Sequence, residues 1–145
     1  MKTHTHWMVV PTILALMLGV TSAAHSKAPV IELTPGFNAD PLAVSGKSGG
    51  QKATPDCGKI AAAPNHQIKM TKDFQYLRFS VQSSGQPTLL IQEPGGRRTC
   101  VLADSFSGGN IESPGYWKQG SYSIYIGDRA GASNPYTLSI TQKVK

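Results

Sequence analysis

The chain has 145 residues, which allows one domain once its ends are set aside. Fourteen Lys and Arg against eight Asp and Glu give a formal net charge of +6, falling to +5 if Lys2 leaves with a cleaved leader. The basic residues are scattered, with only Arg97 and Arg98 adjacent, which excludes the clustered basic and aromatic pattern of a nucleic-acid binder. The charge reads as a solubility feature, with weak attraction to anionic cell-surface polymers as the sharper alternative.

Residues 1–24 have the layout of a signal peptide. Lys2 supplies the positive start, residues 7–20 are apolar, and Thr21, Ser22, Ala23 and Ala24 are small residues suited to cleavage after Ala24, or after Ala23. The apolar run is fourteen residues long and interrupted by Pro11, short of the roughly 20 residues that a spanning helix needs. No cysteine follows it closely, so a lipid anchor is not expected. The mature chain is expected in the periplasm or outside the cell, with no stable membrane span.

Residues 25–55 read as a flexible N-terminal arm. Residues 30–34 could form a first strand, but residues 35–55 are rich in Gly, Pro, Ser and Ala and lack apolar periodicity. Phe37 and Leu42 are the sizeable apolar side chains available to anchor this arm.

The packed domain is expected over residues 56–145. Residues 67–71 alternate, with Ile68 and Met70 inward. Residues 74–83 form a longer strand with Leu77, Phe79 and Val81 inward and Tyr76, Arg78, Ser80 and Gln82 outward. Residues 88–92 are nearly all apolar, as in a strand buried on both faces. Residues 98–102 return as a strand carrying Cys100. Residues 104–110 form a polar, Gly-rich loop, and Ile111 and Glu112 lead to a turn before Trp117. The clearest strand lies within residues 115–128, where Tyr122, Ile124 and Ile126 share one face and Ser121, Ser123 and Tyr125 the other. The alternating run at 136–140 is expected to pair with it as a hairpin.

Short strands separated by turn signals, with no helix-period segment after the leader, predict an all-β antiparallel β-sandwich of jelly-roll-like form. Cys57 and Cys100, an even pair in an oxidising compartment, predict one disulfide.

The candidate chemistry is sparse. Gly46-Lys47-Ser48-Gly49-Gly50 fits the Gly-x-Ser-x-Gly pattern of a nucleophile elbow, which needs a strand before it, a helix after it and a His in reach. The mature chain offers only His25 and His66. The same residues fail as a phosphate loop, because Pro41 stands where the first Gly is required. Asp104, Asn110 and Glu112 carry oxygen ligands around one loop, as does Ser105, and Asp128 could approach them. They are the candidate calcium ligands, against the plainer reading that Asp and Asn cap tight loops. Tyr116, Trp117 and Tyr125, with Arg129, are the candidate ligand-binding residues, suited to stacking on sugars or to a protein contact. The alternative for Trp117 is a core residue plugging the end of the sandwich.

Several of these stretches resemble one known family. Thr88-Leu89-Leu90-Ile91, Pro94-Gly95-Gly96, Cys100, Ala103-Asp104-Ser105, residues 117–128 and Tyr136-Thr137-Leu138-Ser139-Ile140 are similar to the bacterial pre-peptidase C-terminal (PPC) domains, over residues 57–140. The resemblance implies a jelly-roll-like sandwich that is not itself catalytic and that accompanies exported enzymes or stands alone. Related collagen-binding modules hold calcium with acidic residues near the domain's start, where this chain has no dense acidic cluster. The expectation is a non-catalytic binding or accessory module whose partner is an envelope polymer or protein. The alternatives are a carbohydrate- or polymer-binding module using exposed aromatics, and a small secreted hydrolase.

Overall fold

The computed structural model describes residues 27–145, so the expected leader at 1–24 lies outside the described residues. Among the described residues there are eleven strands and no helix: β1 (Val30–Leu33), β2 (Leu42–Lys47), β3 (Lys52–Ala53), β4 (Lys59–Ile60), β5 (His66–Met70), β6 (Phe74–Ser83), β7 (Pro87–Gln92), β8 (Arg98–Leu102), β9 (Asn110–Trp117), β10 (Gly120–Asp128) and β11 (Pro135–Thr141).

Period-two alternation decides which face each strand buries. On β10, Tyr122, Ile124 and Ile126 are buried, while Ser121, Ser123 and Tyr125 face outward. β10 is the centre of the first sheet. It pairs antiparallel with β5 and β4 along one edge and with β7 along the other, and β7 carries β8. β3 extends the sheet beyond β4, and β1 beyond β5 as its one parallel pair. The second sheet has the order β2-β11-β6-β9 and is antiparallel throughout.

The two inner faces form one core. Ile68, Met70, Leu89, Ile91, Ile124 and Ile126 come from the first sheet, and Leu77, Phe79, Val81, Ile111, Leu138 and Ile140 from the second. The outward side of β7 is also covered. Leu90 joins Cys57 and Ile60 in a smaller cluster on the outer face, against which Cys100 and Tyr125 pack. That second cluster is why the sequence of β7 is apolar without alternation. The Cys57–Cys100 disulfide bridges a sequence separation of 43 with a Cα–Cα distance of 5.8 Å, and ties the segment around β3 and β4 to β8.

Three expectations are corrected here. Residues 35–55 are not left as an arm. β2 pairs with β11 over six residues, from Pro135↔Lys47 to Ile140↔Leu42, and Phe37 and Leu42 pack against the core. β10 and β11 do not form a hairpin, because they lie in different sheets and the chain crosses between layers at 129–134. The expected turn before Trp117 is strand β9. Ser113-Pro114-Gly115 has turn composition, but β9 pairs only with β6 and is an edge, where Pro is tolerated. Ser83 N–H reaches the Gly109 carbonyl, so the alternation of an antiparallel ladder leaves Pro114 opposite Arg78 at a non-hydrogen-bonded pair. The nitrogen of Pro114 therefore faces the free edge and no ladder bond is lost.

Candidate functional site

The edge strands β8 and β9 belong to different sheets and approach one another along one side of the sandwich. Two cavities open beside this approach. The first, of about 630 Å³, is bounded by Val101 and Leu102 of β8 and extends over the outer face of the second sheet, along Asn110 and Glu112 of β9, Ser80 and Gln82 of β6, and Thr137 and Ser139 of β11. The second, of about 590 Å³, takes Thr99 from β8 and the following residues of β9, Ser113 to Trp117, with Glu93, Arg97 and Lys118 at its rim.

Local structure fixes the aromatic end of this groove. The register of β6 and β9 slips between Phe74 and Leu77, so that three residues of β6 span two of β9. This bulge lets both Phe74 and Leu77 point inward despite their odd spacing, and Phe74 faces Trp117 across the ladder. Trp117 donates its indole N–H to the Leu77 carbonyl at 2.9 Å and packs on Phe79 and Tyr122, with ring centroids 4.7 and 5.5 Å away. The same register brings Asp73 to Tyr116. The Tyr116 hydroxyl donates to one Asp73 oxygen, and the Gln119 N–H donates to the other at 2.7 Å. The bond from Tyr116, followed by that from Gln119, holds the Asp73 carboxyl below its ordinary range, and Asp73 in turn raises the Tyr116 phenol. At the opposite rim, Arg97 makes a two-point contact with Glu93, at 3.0 Å for each bond.

The candidate ligand-binding residues do not form one platform. Tyr116 is half exposed, at 50%, and stands at the groove. Trp117 is only 9% exposed and is a core residue, in agreement with the reading of it as a plug at the end of the sandwich rather than a surface binding residue, and this weakens the reading that rests on exposed aromatics. Tyr125 lies on the outer face of the first sheet, away from Tyr116 on the second. Arg129 is exposed beside Ser105 at a third, smaller recess.

The candidate calcium ligands are likewise not gathered. Asp104, Asn110 and Glu112 line one cavity, but each is engaged. Asp104 accepts the Phe106 N–H at 2.9 Å, Asn110 donates to the Ser107 carbonyl at 2.9 Å, and Glu112 pairs with Lys145. The Lys145 contact holds the Glu112 carboxyl below its ordinary range. Asp128 is fully buried elsewhere and accepts three backbone N–H groups, from Gln86, Ala130 and Ala132. Among the described residues, no three His, Cys, Asp or Glu side chains converge as a metal-ligand group.

Ser48 and His66 are also committed to structure. Ser48 follows a strand, but no helix comes after it, and its buried hydroxyl accepts the Asn134 N–H at 3.1 Å. The His66 Nε2 lies 2.7 Å from the Tyr136 hydroxyl. Burial lowers the His66 pKa below 6.5 and pushes Tyr136 up to about 12, so a neutral imidazole and a neutral phenol share one hydrogen bond. The half-buried His66 and the buried Tyr136 thus satisfy one another and are not arranged as nucleophile and base. Sequence reasoning missed Glu93, Arg97 and Thr99 as groove residues, and Asp73 as the residue that holds Tyr116. Their placement follows from the strand register and the approach of two edges, which leave no local signal in the sequence.

The fold places the chain in the class of PPC-type β-sandwiches. It superposes on the crystal structure of the pre-peptidase C-terminal domain of a collagenase from Bacillus anthracis with a TM-score of 0.52. The match covers 80% of this chain and 98% of that one, at 15% sequence identity. No family model matches the chain. Over 104 residues it is 42% identical to an uncharacterized protein of Synechococcus elongatus, covering 69% of this chain and 75% of that protein. The chain belongs to the family of that cyanobacterial protein.

Proposed function

We propose that the chain is an exported, non-catalytic binding or accessory module whose ligand face is the β8–β9 seam. The observation that carries this reading is the groove itself. Two cavities of about 630 and 590 Å³ flank the approach of β8 to β9, the first reaching across the outer face of the second sheet, and Tyr116 is held half exposed at the second by Asp73. A long groove along this approach suits an extended polymer or a polypeptide segment better than a small metabolite. The engagement of Ser48 by Asn134 and of His66 by Tyr136 supports a non-catalytic role. Export is supported by the disulfide, which persists in oxidising compartments. No helix among the described residues is long and apolar enough to cross a membrane.

The test is binding of the purified protein to an array of polysaccharides, peptidoglycan and extracellular-matrix proteins. At least one saturable interaction is expected, weakened about tenfold or more by Tyr116→Ala, equivalent to about 1.4 kcal/mol. A blank array, or an array in which no interaction is weakened by Tyr116→Ala, would contradict the assignment of the seam.

A further inference from the structure

The outer face of the first sheet carries a separate recess, which the seam does not explain. The segment containing β3 and β4 folds back over this face. Its turn is closed by Thr54, whose hydroxyl donates to the Gly58 carbonyl at 2.7 Å and accepts the Cys57 N–H at 2.8 Å. Three further contacts fasten it to the sheet. They are the Cys57–Cys100 disulfide, the buried bond from the Thr88 hydroxyl to the Cys57 carbonyl at 2.8 Å, and the Arg98–Asp56 ion pair at 2.9 Å.

Between this flap and the sheet lies a cavity of about 280 Å³. Lys52, Thr54 and Pro55 form the flap wall, and Tyr125, Gln92 and Arg98 line the sheet side. Tyr125 is half-buried by the small apolar cluster beneath it, which fixes its ring. Strand register places Ser123 opposite Gln92 and Gln92 opposite Arg98, so amide and guanidinium donors sit one step from the aromatic side chain. Lys52 is exposed, and Arg98 contacts Asp56 through Nη2 alone, leaving further N–H donors on its planar fork. The recess therefore combines an aromatic ring, an amide and two cations.

We propose that this recess binds one unit of an anionic polysaccharide. The sugar ring lies on Tyr125, Gln92 serves a hydroxyl, and the acidic group is held by Lys52 and Arg98. The disulfide has a specific part in this, because it holds the wall that brings Lys52 over a sheet residue. The recess is separate from the seam and is lined by a different set of side chains.

The experiment is calorimetric titration of the full exported protein, at low salt, with polygalacturonate as the probe and dextran as the neutral control. Saturable binding to polygalacturonate is expected, with none to dextran. Binding should fall about tenfold with Lys52→Gln and with Tyr125→Ala. Lys72→Gln removes the same charge elsewhere on the surface, and it should have little effect. Disulfide reduction under conditions where circular dichroism shows the sandwich intact should abolish binding. The proposal is overturned if polygalacturonate does not bind, or if dextran binds equally. Loss with Lys72→Gln matching that with Lys52→Gln would also overturn it, as would undiminished binding by Tyr125→Ala.

Discussion

Asp128 illustrates how a residue suggestive of a ligand can be consumed by the fold. Its two carboxylate oxygens are divided between the β6–β7 turn, through Gln86 N–H at 3.1 Å, and the crossover after β10, through Ala130 and Ala132 N–H at 2.8 and 3.1 Å. It fastens together two loops that are also joined by the backbone bond from Arg129 N–H to the Gln86 carbonyl at 2.9 Å. Asp128→Ala leaves these donors without their acceptor, and should destabilise the protein by roughly 3 kcal/mol in urea unfolding, the scale expected for hydrogen bonds to a charged group. A loss below about 1 kcal/mol would contradict this role. His66 gives a pH dependence with a defined sign. Its folded pKa is lowered by burial from 6.5, so the unfolded chain takes up a proton first as the solution is acidified. The stability is fully present above about 6.5 and is lost as pH falls through the lowered folded value. Melting temperature should fall between about pH 7.5 and about pH 5, and His66→Gln should flatten that part of the profile. An unchanged slope in the variant would rule out His66 as its source. Neither role was legible in the sequence, because the partners of both residues come from other strands and loops.

At the scale of elements, strands with large alternating side chains were legible and strands built from small residues were not. β6, β7 and β10 carry Leu, Phe, Val and Ile at buried positions, and their spans follow the sequence pattern. β2 also alternates, with Leu42, Val44 and Gly46 on its less exposed side, but a glycine in the third place hides the pattern. Gly46 is there because Tyr136, its partner on β11, occupies the space. A Cβ at this position would lie 2.5 Å from the Tyr136 hydroxyl and 2.8 Å from the ring carbon that bears it. Gly46→Ala should cost about 1–3 kcal/mol by overpacking, measured as a shift of the unfolding midpoint. A neutral result would mean that Tyr136 is free to move aside, against its bond to His66. β9 was missed for a different reason. Ser-Pro-Gly is ordinary turn chemistry, and only its position at a sheet edge, which depends on the whole topology, lets it serve as a strand.

For the whole molecule, sequence reasoning reached the all-β sandwich, the disulfide and the PPC resemblance, and the structure agrees with each. It did not reach which strands share a sheet. Adjacent runs such as β10 and β11 look like a hairpin on local grounds, whereas the core is built by sending them to opposite layers. The candidate sites depend on that global arrangement. The seam exists because β8 ends one sheet and β9 ends the other on the same side, and the outer recess exists because a disulfide folds one segment over β7 and β10.

The measurement that tests the central claim most directly is a titration of envelope polymers into isotope-labelled protein, followed by backbone amide resonances. The account predicts that at least one polymer shifts a contiguous set within 99–102 and 113–119, the two walls of the seam, and that Tyr116→Ala reduces those shifts. If no polymer perturbs these amides while the protein is folded, or if binding maps entirely elsewhere, the seam is not the ligand face.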